Sequence, residues 1–87
     1  MRSTGNQYLE SFKQHKLREL KERLAEIQKN NIKDEDVLDD LFDDIFVLSE
    51  YKQFDNLLWQ LINYVEKFDS RKGAYYRRIE EVAQEGY

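Results

Sequence analysis

The chain contains no proline in its 87 residues, and its apolar residues recur every three or four positions along most of its length. Proline ends or kinks helices, so its absence favours long uninterrupted ones. A repeat of three to four residues places apolar side chains on one face of a helix. The sequence therefore predicts an all-α fold in which helices bury their apolar faces against one another.

Four segments carry this periodicity. The predicted helices span residues 7–29, 35–48, 51–68 and 71–84. Asn30–Asn31 is expected to end the first helix, Asp34 to cap the second, and Asp69–Ser70 to separate the last two. Short connections make successive helices antiparallel neighbours. We therefore expect a small up-down bundle of three to four antiparallel helices. Gly73 leaves open whether the last two segments form one rod, and a hairpin that dimerises is the alternative fold.

The length of the chain fits one domain. We expect residues 1–6 to form a disordered N-terminal tail and residues 7–87 to form a single helical domain. No apolar run approaches the roughly 20 residues that span a bilayer, and the first residues lack the apolar stretch of a signal peptide. The expected location is cytoplasmic, without membrane contact.

The chain lacks the residue patterns of familiar catalytic and metal sites. It has no cysteine and one histidine, His15, which lies in a basic stretch. No glycine-rich loop is present to hold phosphates. The acidic segment beginning at Asp34 lacks the glycine and spacing of an EF-hand loop. We expect the protein not to be an enzyme and to require no cofactor or metal.

Charge is distributed unevenly along the chain. The net charge is −4, yet residues 34–50 contain eight acidic residues and no basic one. At 100° per residue, five aspartates of the second helix fall within an arc of about 140°, opposite its apolar face. These are Asp36, Asp39, Asp40, Asp43 and Asp44. Like-charge pairs four residues apart cost a few tenths of a kcal/mol each. The helix therefore concentrates negative charge at a small cost.

Val47 lies near the centre of this acidic arc, and Tyr51 follows it near the end of the helix. An apolar side chain within a charged face is typical of an interface anchor surrounded by steering charges. The five aspartates, Val47 and Tyr51 are therefore the predicted partner-binding residues. The alternative interpretation is a solvated face, with Val47 tucked into the following turn.

A basic patch near the C-terminus is the alternative binding site. It comprises Arg71, Lys72, Tyr75, Arg77 and Arg78. Aromatic rings beside arginines can stack on nucleic-acid bases. The competing interpretation has the tyrosines covering the core and the arginines pairing with Glu80 and Glu81. The negative net charge favours this second interpretation.

In size, acidity and helical character the chain resembles the small acidic helical immunity and anti-defence proteins of bacteria and their phages. The resemblance implies an inhibitor that blocks a basic, nuclease-like partner. The residues independently favour protein binding through the Asp-rich helix. A self-associating adaptor or structural protein is the second hypothesis, and a nucleic-acid-binding protein is the third.

Overall fold

The computed structural model describes residues 3–85, with side chains described from residue 8 onward. Within that range the chain forms four helices and no strand, which confirms the predicted all-α bundle. The helices are α1 (Ser3–Lys29), α2 (Glu35–Phe46), α3 (Lys52–Glu66) and α4 (Ser70–Glu85). The third and fourth segments are separate helices.

Three of the predicted boundaries have the expected local chemistry. Asn31 adopts the left-handed conformation, with φ of 53°, two residues after the end of α1. The side chain of Asp34 accepts hydrogen bonds from the amides of Asp36 and Val37, at 2.9 and 3.3 Å, and so caps α2. The side chain of Asp69 accepts a hydrogen bond of 3.1 Å from the amide of Lys72 in the first turn of α4.

Other boundaries differ from the predicted ones by a few residues. Helix α1 begins at Ser3 rather than Gln7, whereas the remaining residues of the predicted tail, Met1 and Arg2, lie outside the described residues. Helix α2 ends at Phe46 rather than Leu48, and Val47 is its C-cap. Such shifts are expected because the ends of helices fray and their last turn is often irregular.

Contacts between the helices establish an up-down topology. Helices α1 and α3 run parallel, since Lys13 lies over the ring of Tyr51 and Tyr64 donates a hydrogen bond to the carbonyl of Ile32 just after α1. Helices α2 and α4 are likewise parallel, since α2 residues of rising number meet α4 residues of rising number. Helix α3 packs against all three of the other helices.

The core forms where the apolar faces of the four helices meet. Its fully buried members include Leu20 of α1, Ile45 of α2, Leu61 of α3 and Tyr76 of α4. Tyr76 stacks on Phe42 with ring centroids 4.1 Å apart, and this contact joins α4 to α2.

At Gly73 the first turn of α4 lies close to α3. It is buried, and a side chain there would overlap the side chain of Glu66 and approach its Cα at 3.0 Å. The glycine that weakens the first turn of α4 therefore allows that turn to pack directly against α3.

Helix α1 is longer than the helices it packs against. Its 27 residues span about 40 Å, compared with about 22 Å for the 15 residues of α3. Lys13 lies level with Tyr51, which precedes α3, so the preceding turns of α1 extend beyond the bundle. Tyr8, Leu9 and Phe12 are consequently exposed to solvent.

Candidate functional site

Helix α2 lies between α1 and α4 and has one buried and one exposed face. Its buried residues are Leu38, Leu41, Phe42 and Ile45, which face the core. The five predicted aspartates occupy the opposite half of the helix, and the structure divides them into two groups. Two lie at the edges and bind neighbouring helices, and three lie along the centre.

Asp44 forms the edge that faces α1. Its carboxylate accepts a hydrogen bond of 2.6 Å from the guanidinium of Arg23. Both side chains are partly exposed, so this ion pair contributes little to stability by itself. Its consequence for the site is that Arg23 neutralises Asp44 within the fold.

Asp39 forms the edge that faces α4. It accepts hydrogen bonds from the hydroxyl of Tyr76 at 2.5 Å and from the ammonium of Lys72 at 2.9 Å, and Lys72 also reaches Glu35 at 3.2 Å. Partial burial of Asp39 opposes its ionisation, but the hydrogen bonds from Lys72 and Tyr76 outweigh it, so the pKa of Asp39 lies below its ordinary value. Asp39 is therefore ionised and bound within the fold.

The same contacts alter the two donors on α4. The hydrogen bond to Asp39 raises the pKa of Lys72 above its ordinary value. Burial, followed by the hydrogen bond to Asp39, raises the pKa of Tyr76. Both groups therefore keep their protons at neutral pH, and Asp39 joins α2 to α4.

Asp36, Asp40, Asp43 and Val47 form what we call the α2 ridge. They are spaced i, i+4, i+7 and i+11, which places them within an arc of about 60°. All four are exposed, and none of the three carboxylates pairs with a basic group in the described part of the chain. The α2 ridge is a strip of three free carboxylates ending in an apolar residue.

Val47 is not tucked into the turn after α2. Its backbone keeps right-handed helical angles, with φ of −63° and ψ of −17°, so it stays in line with the aspartates. Its side chain is 73% exposed. Val47 is therefore an exposed apolar residue at the C-terminal end of the α2 ridge.

Tyr51 differs from the other predicted partner-binding residues. It is the N-cap residue of α3 and makes no side-chain cap hydrogen bond. Its half-buried ring lies under the ammonium of Lys13, 4.3 Å from the ring centroid, and packs against Phe54. These contacts place Tyr51 at the junction of α1 and α3 rather than on the α2 ridge.

The predicted C-terminal basic patch is divided among three sides of α4, which face α2, α3 and solvent. Lys72 is bound to Glu35 and Asp39 of α2. Arg77 faces α3, where it binds Glu66 and lies 5.2 Å above the ring of Trp59.

The other members of the patch face solvent together with Val82. Arg71, Tyr75, Arg78 and Val82 are exposed and spaced i, i+4, i+7 and i+11, and we call them the α4 ridge. The two ridges therefore have the same spacing but opposite charge.

Glu80 was predicted to pair with an arginine, and this interpretation is wrong. It is only 3% exposed and faces Asp55 of α3. Burial, followed by the hydrogen bond and charge of Asp55, raises the pKa of Glu80 to about 7. Asp55 Oδ1 is buried and accepts no hydrogen bond from any other described residue. The proton held by Glu80 would provide the donor that this carboxylate needs. Position 80 follows the buried Tyr76 by four residues, so the two lie on the same face of α4. This spacing was the sequence signal that Glu80 is buried.

Among residues 3–85, no three acidic, histidine or cysteine side chains gather closely enough to hold a metal ion. No described helix has the length and apolar character needed to cross a membrane. Comparison of the chain with known protein-family models, curated proteins and solved structures finds no match.

Proposed function

We propose that the protein is a small acidic inhibitor, of the immunity type, that blocks a basic nuclease-like partner by docking the α2 ridge on it. The observation that supports this proposal is the division of the acids on α2. Arg23 and Lys72 neutralise the edge residues Asp44 and Asp39, while Asp36, Asp40 and Asp43 are exposed and pair with no basic group among the described residues.

The energetics of α2 favour an external role for these charges. Asp36 and Asp40 repel each other four residues apart, and Asp40 and Asp43 do so three residues apart, at a few tenths of a kcal/mol per pair. Solubility alone would be served equally well by alternating charges, which avoid this cost. A basic partner would offset this repulsion by attracting all three carboxylates.

The arrangement of the α2 ridge suits steering followed by anchoring. The carboxylates would attract a positively charged surface and speed the encounter. Val47 would then enter an apolar depression of the partner, since well-packed apolar contacts near the centre of an interface carry much of its binding energy. Three carboxylates in line also resemble the phosphates that a nuclease binds, so the docked helix would compete with its substrate.

The nucleic-acid alternative receives less support from the arrangement of charges. Lys72 and Arg77 are occupied by Asp39 and Glu66, which leaves Arg71 and Arg78 as the cations of the predicted patch that form no ion pair with a described residue. A phosphate-binding surface needs several free cations and loses affinity steeply with salt. A gel shift at low ionic strength, weakened by Arg71→Ala with Arg78→Ala, would favour this alternative over the inhibitor.

The test of the proposal uses a charge-reversed variant and a control with the same net charge. The test variant is Asp40→Lys with Asp43→Lys, and the control is Glu22→Lys with Glu81→Lys, whose glutamates are exposed elsewhere. Each variant captures proteins from a lysate of the source cells, and any captured nuclease is purified. Its association rate and its cleavage of nucleic acid are then measured with each variant.

We expect wild type and control to bind and inhibit the nuclease equally. The ridge variant should associate more slowly by about tenfold or more, and the difference should shrink at high salt. If the ridge variant associates and inhibits like the control, the partner binds elsewhere and the proposal fails.

A further inference from the structure

We propose that the α2 ridge of one copy binds the α4 ridge of a second copy, so that the protein pairs with itself through complementary charges. This goes beyond the proposed inhibitor, because it assigns an occupant to the α4 ridge, which the inhibitor does not use. The two ridges correspond position by position along the helices. Asp36, Asp40, Asp43 and Val47 each precede their counterparts Arg71, Tyr75, Arg78 and Val82 by 35 residues.

Contacts within one molecule show that matching positions lie at the same level. Glu35 and Asp39 of α2 both reach Lys72, Asp39 also reaches Tyr76, and Phe42 stacks on Tyr76. The two residues of each contact are 33 to 37 positions apart in the sequence. Matching positions of the two ridges are 35 apart, which falls within this range. Since α2 and α4 are parallel, each residue of the α2 ridge lies level with its counterpart on the α4 ridge.

The ridges cannot satisfy each other within one molecule. The facing edges of α2 and α4 are occupied by Asp39, Lys72 and Tyr76. On the outer side, Tyr75 is 58% exposed and Val82 is 49% exposed. Within the described part of the chain, the charged side chains of both ridges therefore have no ion-pair partner and can contact a second molecule.

A second copy supplies the matching surface. A two-fold axis parallel to the helices keeps every residue at its own level, and it brings α2 of one copy beside α4 of the other. Arg71 then meets Asp36, Arg78 meets Asp43, and Val82 meets Val47. The hydroxyl of Tyr75 can donate to Asp40. The symmetry makes each of these contacts twice and closes the assembly as a dimer.

The expected dimer is weak and depends on salt. Exposed ion pairs contribute little individually, and the apolar contribution comes from Tyr75 and the two valines. We therefore expect a monomer–dimer equilibrium that shifts toward monomer as protein is diluted or salt is added. A foreign partner on the α2 ridge would compete with the second copy.

Sedimentation equilibrium of the full chain tests this pairing with two oppositely charged variants. One is Arg71→Glu with Arg78→Glu, and the other is Asp36→Arg with Asp43→Arg. In each variant alone the two ridges carry like charge, so we expect the association constant of its dimer to fall about tenfold or more. An equal mixture restores opposite charge at both contacts and should form a heterodimer. Helix content by circular dichroism confirms that each variant is folded.

Three results would overturn the pairing. The first is a wild-type monomer at high concentration and low salt, and the second is a mixture that stays monomeric. The third is a dimer that survives both reversals but is lost in Leu9→Ser with Phe12→Ser, which would place the interface on α1. The Arg71→Glu with Arg78→Glu variant separates the two proposals. It should lose the dimer because the charge of its α4 ridge is reversed, and it should still bind a basic partner because its α2 ridge is unchanged.

Discussion

The carboxyl pair formed by Glu80 and Asp55 makes stability depend on pH in a defined direction. The pKa of Glu80 is about 7 in the fold, above its ordinary 4.5, because the side chain is buried beside Asp55. The folded state therefore holds this proton more tightly than the unfolded chain. The resulting stability is fully present below about pH 4.5 and is lost as the pH rises through about 7. The difference between the two pKa values corresponds to about 3 kcal/mol.

Replacing Glu80 by glutamine should remove this dependence. The amide group has the shape of the protonated carboxyl. It can donate to Asp55, and its oxygen can accept the hydrogen bond that Trp59 donates to Glu80. Near pH 5 the variant and wild type should unfold at similar urea concentrations. Near pH 8 the variant should be more stable, by up to about 3 kcal/mol, because wild type must then bury a second negative charge.

Urea unfolding followed by circular dichroism at several pH values between about 5 and 8 measures this difference. Glu81→Gln is the control, because it removes a neighbouring carboxylate that is exposed, and it should leave the shape of the pH profile unchanged. If the stabilities of Glu80→Gln and wild type differ by a constant amount across this range, Glu80 does not hold a proton in the fold and the reasoning is refuted.

Three further changes test the packing of the bundle. Gly73→Ala should lower the free energy of unfolding by about 1–2 kcal/mol in urea titrations, because overlap with Glu66 outweighs the better helix propensity of alanine; a stabilised variant would contradict the close approach. Asp34→Ala should lower the free energy of unfolding by about 1 kcal/mol and reduce the protection of amides at the start of α2 in hydrogen exchange, because it removes the N-cap. Unchanged protection there would contradict the cap. Leu20→Ala should lower the free energy of unfolding by about 2–5 kcal/mol, because Leu20 is fully buried, whereas Phe12→Ala should change it little, because Phe12 is 54% exposed. Similar losses in the two variants would contradict the extension of α1 beyond the bundle.

Local chemistry was sufficient to predict much of the fold. Proline-free periodic segments give the four helices, and Asn31, Asp34 and Asp69 mark boundaries through backbone conformation or side-chain caps that act over a few residues. Interactions of this range can be inferred from sequence. The end of α2 at Phe46 could not be placed to the residue, since helix ends fray and the sequence there carries no glycine or asparagine stop signal.

The division of the acidic face could not be predicted, because it depends on residues distant along the chain. Arg23 lies 21 positions from Asp44, and Tyr76 lies 37 positions from Asp39. A helical wheel identifies the five aspartates as one face, but only the positions of α1 and α4 show which of them are neutralised. Glu80 illustrates the same limit, since its partner Asp55 comes from another helix.

Mapping the footprint of a purified nuclease partner on the 15N-labelled protein by NMR tests the central claim most directly. The account predicts that the largest changes in amide shifts and the strongest protection occur along the α2 ridge, at Asp36, Asp40, Asp43 and Val47. A footprint on the exposed end of α1 at Tyr8 and Phe12, with the α2 ridge unaffected, would contradict it.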